Sequence, residues 1–419
     1  MKNPLKKKYD VVIVGGGPAG LAAALGAREA GAEHILVIDR EIEAGGILNQ
    51  CIHSGFGLHY FKEELTGPEY AERFVHNVLS DNVDILTDSY VIDISPDLRL
   101  EIISGNYGHL NLKAKAVVLA MGCRERTRGA IRTPGFRPAG VMTAGLAQKM
   151  VNMKGLLPGR RIAILGSGDI GLIMARRLVL EGCEVVGVYE LSPYSNGLTR
   201  NVVQCLDDFN IPLHTSSTVA FIHGRDRVER LTIAPVNNQH VPDLNQSWDV
   251  NCDTLLLSIG LIPENELSTK LRLHMDHATG GPQVSSTLET SLPGVFACGN
   301  VLHVHDIVDF VSEESIRAGR FAAELATGIR RPGDNIALHA GENVASCVPH
   351  SLSPDREQII YLRVKQPMQN CILTIGNRYE KKFRMLIPSE MIRLTLAPEI
   401  LDHYFADNLK IDIQQREVT

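Results

Sequence analysis

Two glycine-rich segments, each followed by an acid, have the residue types and spacing that bind phosphate and ribose. The first is Gly15-Gly16-Gly17-Pro18-Ala19-Gly20, and Asp39 lies 24 positions after its first residue. Glycines allow a tight turn whose backbone approaches a pyrophosphate, and the helix that follows directs free N–H groups at the phosphates. A carboxylate at this distance can accept hydrogen bonds from ribose hydroxyls. The pattern predicts a dinucleotide site, with a ligand-free glycine-rich turn as the alternative.

The same arrangement recurs in Gly166-Ser167-Gly168-Asp169-Ile170-Gly171, with Glu190 again 24 positions after the first glycine. Two complete units suggest two dinucleotides, one of which passes hydride to the other. A carboxylate binds a ribose 2′-hydroxyl but repels a 2′-phosphate. The next basic residue, Arg200, is ten positions further on. The second site is therefore expected to take NAD(H) in preference to NADP(H).

Short apolar strands and a helix must position each segment. Four to six apolar residues precede each turn or follow each helix, which is typical of strands buried in a parallel sheet. The first unit is expected to contain a strand at 11–14, a helix at 21–30 and a strand at 35–38. The second is expected to contain a strand at 161–165, a helix at 172–181 and a strand at 184–189.

Composition excludes several classes of protein. The 419 residues carry a net charge of −6, which argues against a nucleic-acid binder that works by bulk electrostatics. The uncharged run at 11–27 contains five glycines and a proline, so a strand, turn and helix explain it better than a secretion signal or membrane span. None of the eight cysteines forms a C-x-x-C pair, which argues against zinc or iron–sulfur sites. We expect a soluble, cytoplasmic protein.

Further segments carry a family resemblance, which covers about residues 8 to 330. Residues 43–53, 117–122, 255–260 and 294–300 resemble motifs of the two-dinucleotide-domain flavoproteins, the pyridine nucleotide-disulphide oxidoreductase superfamily that includes thioredoxin reductase. Residues 120–128, 135–145, 194–200 and 298–306 look like bacterial flavoproteins that accompany glycerol-3-phosphate-dehydrogenase-like proteins. More distantly they resemble the FAD subunits of opine oxidase, proline dehydrogenase, sarcosine oxidase and hydrogen cyanide synthase.

The resemblance implies an α/β fold with two doubly wound dinucleotide-binding domains. The FAD-binding domain is expected to be discontinuous, at 1–135 and 270–335, with the NAD(P)-binding domain inserted at 136–269. Period-two patterns after residue 337, such as Ile360, Leu362 and Val364, predict a small antiparallel β domain of about four strands at 336–419. We expect this domain to act as a lid or subunit contact.

The resemblance also assigns cofactor contacts. The predicted FAD-binding residues are Gly15, Gly17, Pro18, Ala19, Gly20, Asp39, Arg40, Gly46, Ile47, Gln50, Cys51, Val91, Ala120, Gly122, Gly299 and Asn300. The predicted NAD-binding residues are Gly166, Gly168, Asp169, Ile170, Gly171, Glu190 and Gly260. Asn300 replaces the usual Asp of the last flavin motif, and an amide can still bond the ribityl chain. No redox cysteine pair is present, so dithiol exchange of the thioredoxin reductase type is rejected.

Cys51 and His53 are the candidate catalytic residues, since the alignment places both beside the flavin. Histidine can move a proton near neutral pH, and packing against the flavin is the alternative role. His303 and His305 form an H-x-H pair whose rings would share one face of a strand. Contact with flavin or substrate is favoured for these two histidines over a metal site, and no metal ligand is assigned. Glu313 and Glu314 are interpreted as first-turn acids of a helix at 309–325.

These observations predict an FAD-dependent oxidoreductase that transfers hydride or electrons between NAD(H) and a partner subunit or small acceptor. One alternative is the FAD subunit of a heteromeric amine, imino-acid or hydroxy-acid dehydrogenase, of the glycerol-3-phosphate-dehydrogenase-like type. The other is a non-catalytic FAD-binding redox scaffold, which the intact glycines of the second unit disfavour. The expected partners are a nicotinamide dinucleotide and a dehydrogenase subunit or second copy of the chain.

Overall fold

The computed structural model describes residues 5–81, 83–329, 336–376, 379–401 and 409–415. These residues separate into two compact units, one from 1–123 and 263–419 and the other from 124–262. The first unit is therefore discontinuous in sequence. The predicted boundary between residues 335 and 336 adjoins a segment outside the described residues.

The first stretch of the chain contains β1 (Lys8–Val14), α1 (Pro18–Glu29), β2 (Ile35–Ile38), a 3₁₀ helix (Gly46–Gln50), β3 (Ser54–Phe56), β4 (Leu65–Thr66), α2 (Gly67–Ser80), β5 (Asp84–Leu86), β6 (Ser89–Ile94), β7 (Arg99–Ser104) and β8 (Gly108–Leu119). The middle stretch contains β9 (Cys123–Glu125), α3 (Arg128–Ile131), β10 (Val141–Thr143), α4 (Ala144–Lys154), β11 (Arg161–Leu165), α5 (Asp169–Leu180), β12 (Glu184–Tyr189), α6 (Thr199–Cys205), a 3₁₀ helix (Asp207–Phe209), β13 (Leu213–His214), β14 (Ser217–His223), β15 (Arg230–Pro235), a 3₁₀ helix (Leu244–Gln246), β16 (Trp248–Asn251), β17 (Thr254–Leu257) and β18 (Leu261–Pro263). The last stretch contains α7 (Glu266–Lys270), β19 (Val295–Ala297), a 3₁₀ helix (Gly299–Val301), α8 (Val308–Ala326), β20 (Ile336–Ala340), β21 (Val344–Val348), β22 (Ser351–Leu352), β23 (Gln358–Val364), β24 (Met368–Ile375), β25 (Tyr379–Leu386), β26 (Ile392–Leu396), α9 (Pro398–Leu401) and β27 (Leu409–Gln415).

The first unit is built on a sheet with strand order β5-β2-β1-β8-β7-β6, and β19 pairs with β8. Strands β1, β2, β5, β8 and β19 run parallel, and β7 pairs antiparallel with both β8 and β6. The apolar residues of β1 and β2 are buried, because helices cover a parallel sheet on both faces. Helix α1 packs against α8, so the start and the end of this unit share one core.

The second unit has a five-stranded sheet of order β10-β17-β11-β12-β13 in which every pair is parallel. A three-stranded antiparallel sheet of β14, β15 and β16 lies in the same unit. Strands β2, β11 and β12 have the predicted bounds, while both helices begin three residues before the prediction. The predicted fold class, two α/β dinucleotide folds plus a C-terminal β region, is confirmed.

The C-terminal strands form two sheets rather than one of about four strands. Their orders are β22-β20-β27-β24-β25 and β21-β23-β26, and they enclose a separate apolar core. Most pairs are antiparallel, but β20 and β27 run parallel. Strand β25 lies at the edge of its sheet, and Met385 on it is exposed. The alternating residues Ile360, Leu362 and Val364 of β23 are buried in this core, as the period-two pattern predicted.

Candidate functional site

The turn between β1 and α1 is closed on its inner side and open at Gly17. A Cβ on Gly20 would overlap the carbonyl oxygen of Gly15, so only glycine lets α1 begin this close to β1. At Gly17 the nearest atom to such a Cβ is the Cα of Gly46, 3.8 Å away. Gly17 is the N-cap of α1 and Pro18 follows at its first turn. The open side therefore offers free helix N–H groups to an anion.

Asp39 follows β2 and faces this turn. Its Oδ2 accepts a hydrogen bond from the backbone N–H of Gly16, and its Oδ1 accepts one from that of Glu41 at 2.7 Å. Burial raises the pKa of Asp39, against the effect of these two bonds. A carboxylate has about four acceptor positions, so this side chain can still bond ribose hydroxyls.

Three other segments meet at the same turn. The N–H of Gly45 donates to the carbonyl of Gly16 (2.8 Å), and the N–H of Ala120 donates to that of Val14 (2.8 Å). A Cβ on Gly299 would lie 2.7 Å from the Cβ of Ala19. The structure thus brings together the predicted FAD-binding residues of the turn, of the segment after β2, and of the ends of β8 and β19.

Individual predicted residues differ in exposure. Gln50 is buried, whereas Arg40 and Ile47 are exposed. Gly122 lies beyond the end of β8 and has a positive φ of 71°. Asn300 lies in the 3₁₀ helix after β19, and its Oδ1 accepts a hydrogen bond from the backbone of His305 at 3.0 Å. Val91 is buried in β6, opposite Ile102 of β7, rather than in a glycine-rich turn.

Cys51 and His53 follow the 3₁₀ helix that packs on the first turn. The Sγ of Cys51 lies 3.3 Å from the carbonyl oxygen of Ile47, and burial raises the pKa of this thiol to about 12. A thiolate is therefore scarce here at neutral pH. Nδ1 of His53 lies 3.0 Å from the carbonyl oxygen of Ser54, which assigns the proton to Nδ1, and its ring contacts Phe56.

A fully buried carboxylate lies between two histidines at the end of β19. Oε2 of Glu314 is 2.7 Å from Nε2 of His303, and Oε1 is 3.3 Å from Nε2 of His305. Oε1 also accepts a hydrogen bond from the backbone N–H of Gly299 at 2.8 Å. Burial alone would raise the pKa of Glu314, but the two imidazoles outweigh it and hold the pKa well below its usual range. Glu314 thereby anchors the segment that carries Gly299 and Asn300.

The interpretation of Glu313 and Glu314 as first-turn acids of helix α8 is wrong. Helix α8 begins at Val308, so the first-turn acid is Asp309, which accepts hydrogen bonds from the backbone of Gly57 and Tyr60. His303 and His305 do not lie on a strand, although their ring centroids are 4.2 Å apart. The two histidines and Glu314 could together hold a metal ion, but they already bond one another directly.

The C-terminal sheets contact this cluster and the segment beside it. Tyr361 of β23 packs on the rings of His303 and His305, with centroids 5.5 and 5.3 Å away. Arg363 of the same strand pairs with Asp306 and donates to the carbonyl of Val304 at 3.1 Å. Arg393 of β26 pairs with Glu313 at 2.7 Å. Since these contacts are tertiary, no local sequence signal could have identified them.

The second glycine-rich turn has the same local construction. A Cβ on Gly166 would overlap the carbonyl oxygen of Ser258, and the Oγ of Ser258 accepts the N–H of Gly171 at 3.1 Å. Helix α5 begins directly after the N-cap residue Gly168, so the predicted Asp169 and Ile170 form its first turn. Gly260 follows β17 and is exposed, with a positive φ of 99°. Ser258 lies beside all three glycines of the turn and was not among the predicted NAD-binding residues.

Glu190 lies directly after β12, where a ribose-binding acid was predicted, and it is buried with 3 % exposure. Its Oε2 accepts hydrogen bonds from the N–H and the Oγ of Ser167, at 2.8 and 2.7 Å. Its Oε1 accepts them from the N–H of Ser192 at 2.8 Å and from Nδ2 of Asn196 at 3.0 Å. The chain itself therefore fills the acceptor positions of this carboxylate.

Residues 9–324 match the family described as pyridine nucleotide-disulphide oxidoreductase. The chain belongs to this family. With two glycine-rich turns in two α/β units, it is an FAD-dependent NAD(P)H oxidoreductase. No described helix is long and apolar enough to cross a membrane.

Curated relatives of this oxidoreductase include subunits of larger enzymes. Hydrogen cyanide synthase subunit HcnB of Pseudomonas protegens is 25 % identical over 336 residues, which cover 74 % of this chain and 69 % of the relative. An opine oxidase subunit of Agrobacterium tumefaciens is 24 % identical, and the match covers 70 % of this chain and 61 % of that relative. Less than two thirds of the opine oxidase subunit is therefore represented here.

Solved structures share the fold. Thioredoxin reductase of T. acidophilum matches with a TM-score of 0.61 at 20 % identity, over 76 % of this chain and 99 % of that one. A NAD-dependent persulfide reductase from A. fulgidus matches with a TM-score of 0.58 at 19 % identity, over 97 % of this chain and 74 % of that one. The second match includes most of the C-terminal region.

The residues of the first turn fit FAD. The side of Gly17 away from the sheet is open, and Asp39 keeps acceptor positions for a ribose. Gly15, Asp39, Ala120 and Gly299 surround the turn from four segments of one unit. The second turn also ends at a helix N-terminus, but a Cβ on Gly168 would lie 3.0 Å from the Oγ of Ser258, against 3.8 Å for the nearest atom at Gly17. The acid of the second turn is bonded to the chain.

Proposed function

We propose that this oxidoreductase transfers electrons between NAD(H) and a partner subunit or small acceptor, with FAD held by the first glycine-rich turn. One observation carries the proposal: each unit has a complete strand–turn–helix–strand–acid arrangement, closed around glycine where the helix meets the strand. FAD, when bound, supplies hydride and single-electron chemistry that no side chain can perform.

The chain's own part is to bind, orient and hold charge. The open N-terminal turn of α1 binds the pyrophosphate, and Asp39 binds the adenosine ribose. Glu314 holds the backbone at Gly299 in place, which fixes the Gly299-Asn300 segment. His53 is the proposed proton carrier, because the family resemblance places it beside the flavin and a histidine can move a proton near neutral pH. Cys51 acts as a neutral thiol, since its pKa is raised to about 12.

Two observations support NAD(H) over NADP(H) in the second unit. Glu190 places a buried negative charge where a 2′-phosphate would lie, and no cation pairs with it among its four bonded donors. Arg200, the nearest basic residue after it, is exposed on α6. A 2′-phosphate would meet repulsion at Glu190 without a compensating charge.

A partner is proposed because the sequence has no C-x-x-C cysteine pair that could carry out dithiol exchange. None of the cysteines in the described part of the chain forms a disulfide, and none lies in a C-x-x-C pair. Electrons must therefore leave by another route than a redox cysteine pair. The hydrogen cyanide synthase and opine oxidase relatives are subunits, which supports transfer to or from a second polypeptide.

The same relatives favour a second candidate, the FAD subunit of an amine, imino-acid or hydroxy-acid dehydrogenase. In that function an organic substrate donates the electrons and a nicotinamide nucleotide is not required. The two candidates differ in the donor that reduces the flavin, which makes them separable by direct mixing.

The test is anaerobic mixing of the oxidised flavoprotein with NADH and, separately, NADPH, followed by flavin absorbance near 450 nm. We expect bleaching by NADH that is faster than bleaching by NADPH at equal concentration. A Gly17→Ala variant, which should lack flavin, gives the background signal. Absence of bleaching by either nucleotide, together with bleaching by proline, an opine or glycerol 3-phosphate, would replace the proposal with the second candidate.

A further inference from the structure

Residues 192–201, here called the strap, cross the second glycine-rich turn. The strap begins two residues after Glu190 and ends in the first turn of α6. It is bonded to the turn at both ends, to Glu190 through Ser192 and Asn196 and to Asp169 through Leu198 and Asn201. One short segment thus bonds both Asp169 and Glu190, the two acids of the glycine-rich turn and of the strand end beside it.

The end of the strap at Asp169 is tightly fitted. Oδ1 of Asp169 accepts hydrogen bonds from the N–H of Leu198 at 2.8 Å and from Nδ2 of Asn201 at 2.6 Å. A Cβ on Gly197 would lie 2.5 Å from a methyl carbon of Leu172 and 2.7 Å from the carbonyl oxygen of Ser167. Glycine therefore allows the strap to pass directly over the turn.

The end at Glu190 occupies the position of a ribose acceptor. Each oxygen of Glu190 accepts two hydrogen bonds of 2.7–3.0 Å, which exhausts a carboxylate's capacity. Three of these bonds come from Ser167 and from the backbone of Ser192. The fourth comes from the Nδ2 of Asn196, is the longest at 3.0 Å, and is donated by an exposed, rotatable side chain.

The first unit shows the contrast. Asp39 accepts one hydrogen bond on each oxygen, both from backbone N–H groups, and no side chain among its bonded donors competes for it. A ribose could bond Asp39 without displacing anything. At Glu190 a ribose hydroxyl must first replace a donor. Two of the donors are side chains, the buried hydroxyl of Ser167 and the exposed amide of Asn196, and the exposed amide is the one that can rotate into solvent.

We propose that Asn196 competes with the adenine ribose for Glu190 and so sets the affinity of the second unit for its nucleotide. The inference rests on the proposed function, since it concerns the site assigned to NAD(H). When a nucleotide binds, the amide of Asn196 leaves Oε1 of Glu190 and the 2′-hydroxyl donates to the same oxygen. The affinity is therefore lower than the site would otherwise give, by the free energy of one hydrogen bond.

The experiment measures NAD⁺ binding to the oxidised holoprotein, because NAD⁺ does not exchange electrons with oxidised flavin. The chain's single tryptophan, Trp248, reports the site: its ring is 5.9 Å from that of His214, which stacks on Tyr189, the neighbour of Glu190. Dissociation constants are compared for NAD⁺ and its 2′-deoxyadenosine analogue. The variants are Asn196→Ala and the matched control Asn201→Ala, which removes a strap bond to Asp169 and none to Glu190. Asn196→Ser repeats the test if the alanine variant does not fold.

We expect Asn196→Ala to bind NAD⁺ about fivefold more tightly than wild type, the value of one ordinary hydrogen bond. The gain should disappear with the 2′-deoxy analogue, and Asn201→Ala should change both affinities by the same factor. Unchanged or weaker NAD⁺ binding by Asn196→Ala would overturn the competition, and so would an equal gain in affinity for both ligands. In either case the proposed function still stands if the wild-type protein binds NAD⁺. If neither wild type nor any variant binds NAD⁺, both fail. Binding by Asn196→Ala alone supports the competition.

Discussion

Glu314 offers the sharpest test of how the flavin segment is held, through the substitution Glu314→Gln. Glutamine preserves the size of the side chain and can still accept the N–H of Gly299. It removes the negative charge that His303 and His305 share at 2.7 and 3.3 Å inside the protein. All three side chains are buried, with 0 % exposure for the carboxylate.

The structure sets the size of the effect. Burial lowers the pKa of His303, so this imidazole is neutral near pH 7 and donates a hydrogen bond to the charged Glu314. A hydrogen bond to a charged group contributes about 1.5–3 kcal/mol. In a unit of this size 1 kcal/mol corresponds to about 2 °C, so the melting temperature should fall by about 3–6 °C. The neighbouring Glu313 provides the control. Its side chain is 38 % exposed and pairs with Arg393, so Glu313→Gln should cost less than about 1 kcal/mol.

The assay is thermal unfolding followed by circular dichroism and by release of flavin fluorescence, between pH 3 and pH 8. Because the folded pKa of Glu314 is depressed, its stabilisation is fully present above its unfolded pKa of 4.5 and is lost as pH falls through the folded value. The difference between wild type and Glu314→Gln should thus be constant at pH 6–8 and shrink below pH 4.5. A loss no larger than that of Glu313→Gln, or one independent of pH, would refute the reasoning.

Three other variants test neighbouring parts of the structure. Gly17→Ala should fold with near-normal stability but lose flavin, because its Cβ has space in the protein and would occupy the position where the pyrophosphate approaches. The ratio of absorbance at 450 nm to that at 280 nm measures the bound flavin. The control Gly20→Ala should be insoluble, because its Cβ would overlap backbone. Cys51 should resist iodoacetamide at pH 8, since a pKa of about 12 leaves roughly one thiol in 10⁴ ionised; rapid labelling seen by mass spectrometry would contradict the burial. Arg363→Ala should speed amide exchange across residues 303–306 by about ten- to a hundredfold by losing its charged hydrogen bonds, and exchange equal to wild type would show that the C-terminal sheets do not hold that segment.

The parts of the fold that sequence predicted well are those fixed by local patterns. Strands β2, β11 and β12 have the predicted bounds because each is a short apolar run ended by a charged residue or glycine. The two glycine-rich turns were located because close approach of helix and strand admits no other residue at Gly20. The positions of these strands and turns can therefore be predicted from the spacing of apolar residues and glycines along the chain.

What sequence did not predict depends on contacts between distant residues. Glu314 is polar and follows another acid, so its burial is visible only once His303 and His305 fold back onto it. The saturation of Glu190 depends on the strap, whose residues were noted only as a family motif. The parallel pairing of β20 with β27 joins residues 338–340 to residues 409–411, and no pattern within either segment indicates a partner so far along the chain.

The position of β19 has a consequence for synthesis of the chain. Val117 of β8 pairs with Val295, and the whole second unit lies between them in sequence. At about 5–20 residues per second, roughly 10–35 s separate the two strands during translation. Throughout that interval residues 117–119 of β8 present an unpaired, apolar edge, and synthesis of the inserted unit is finished before β19 is made. The nascent protein is therefore expected to gain its second nucleotide fold first, and to be most prone to aggregation or chaperone binding just before β19 and α8 emerge.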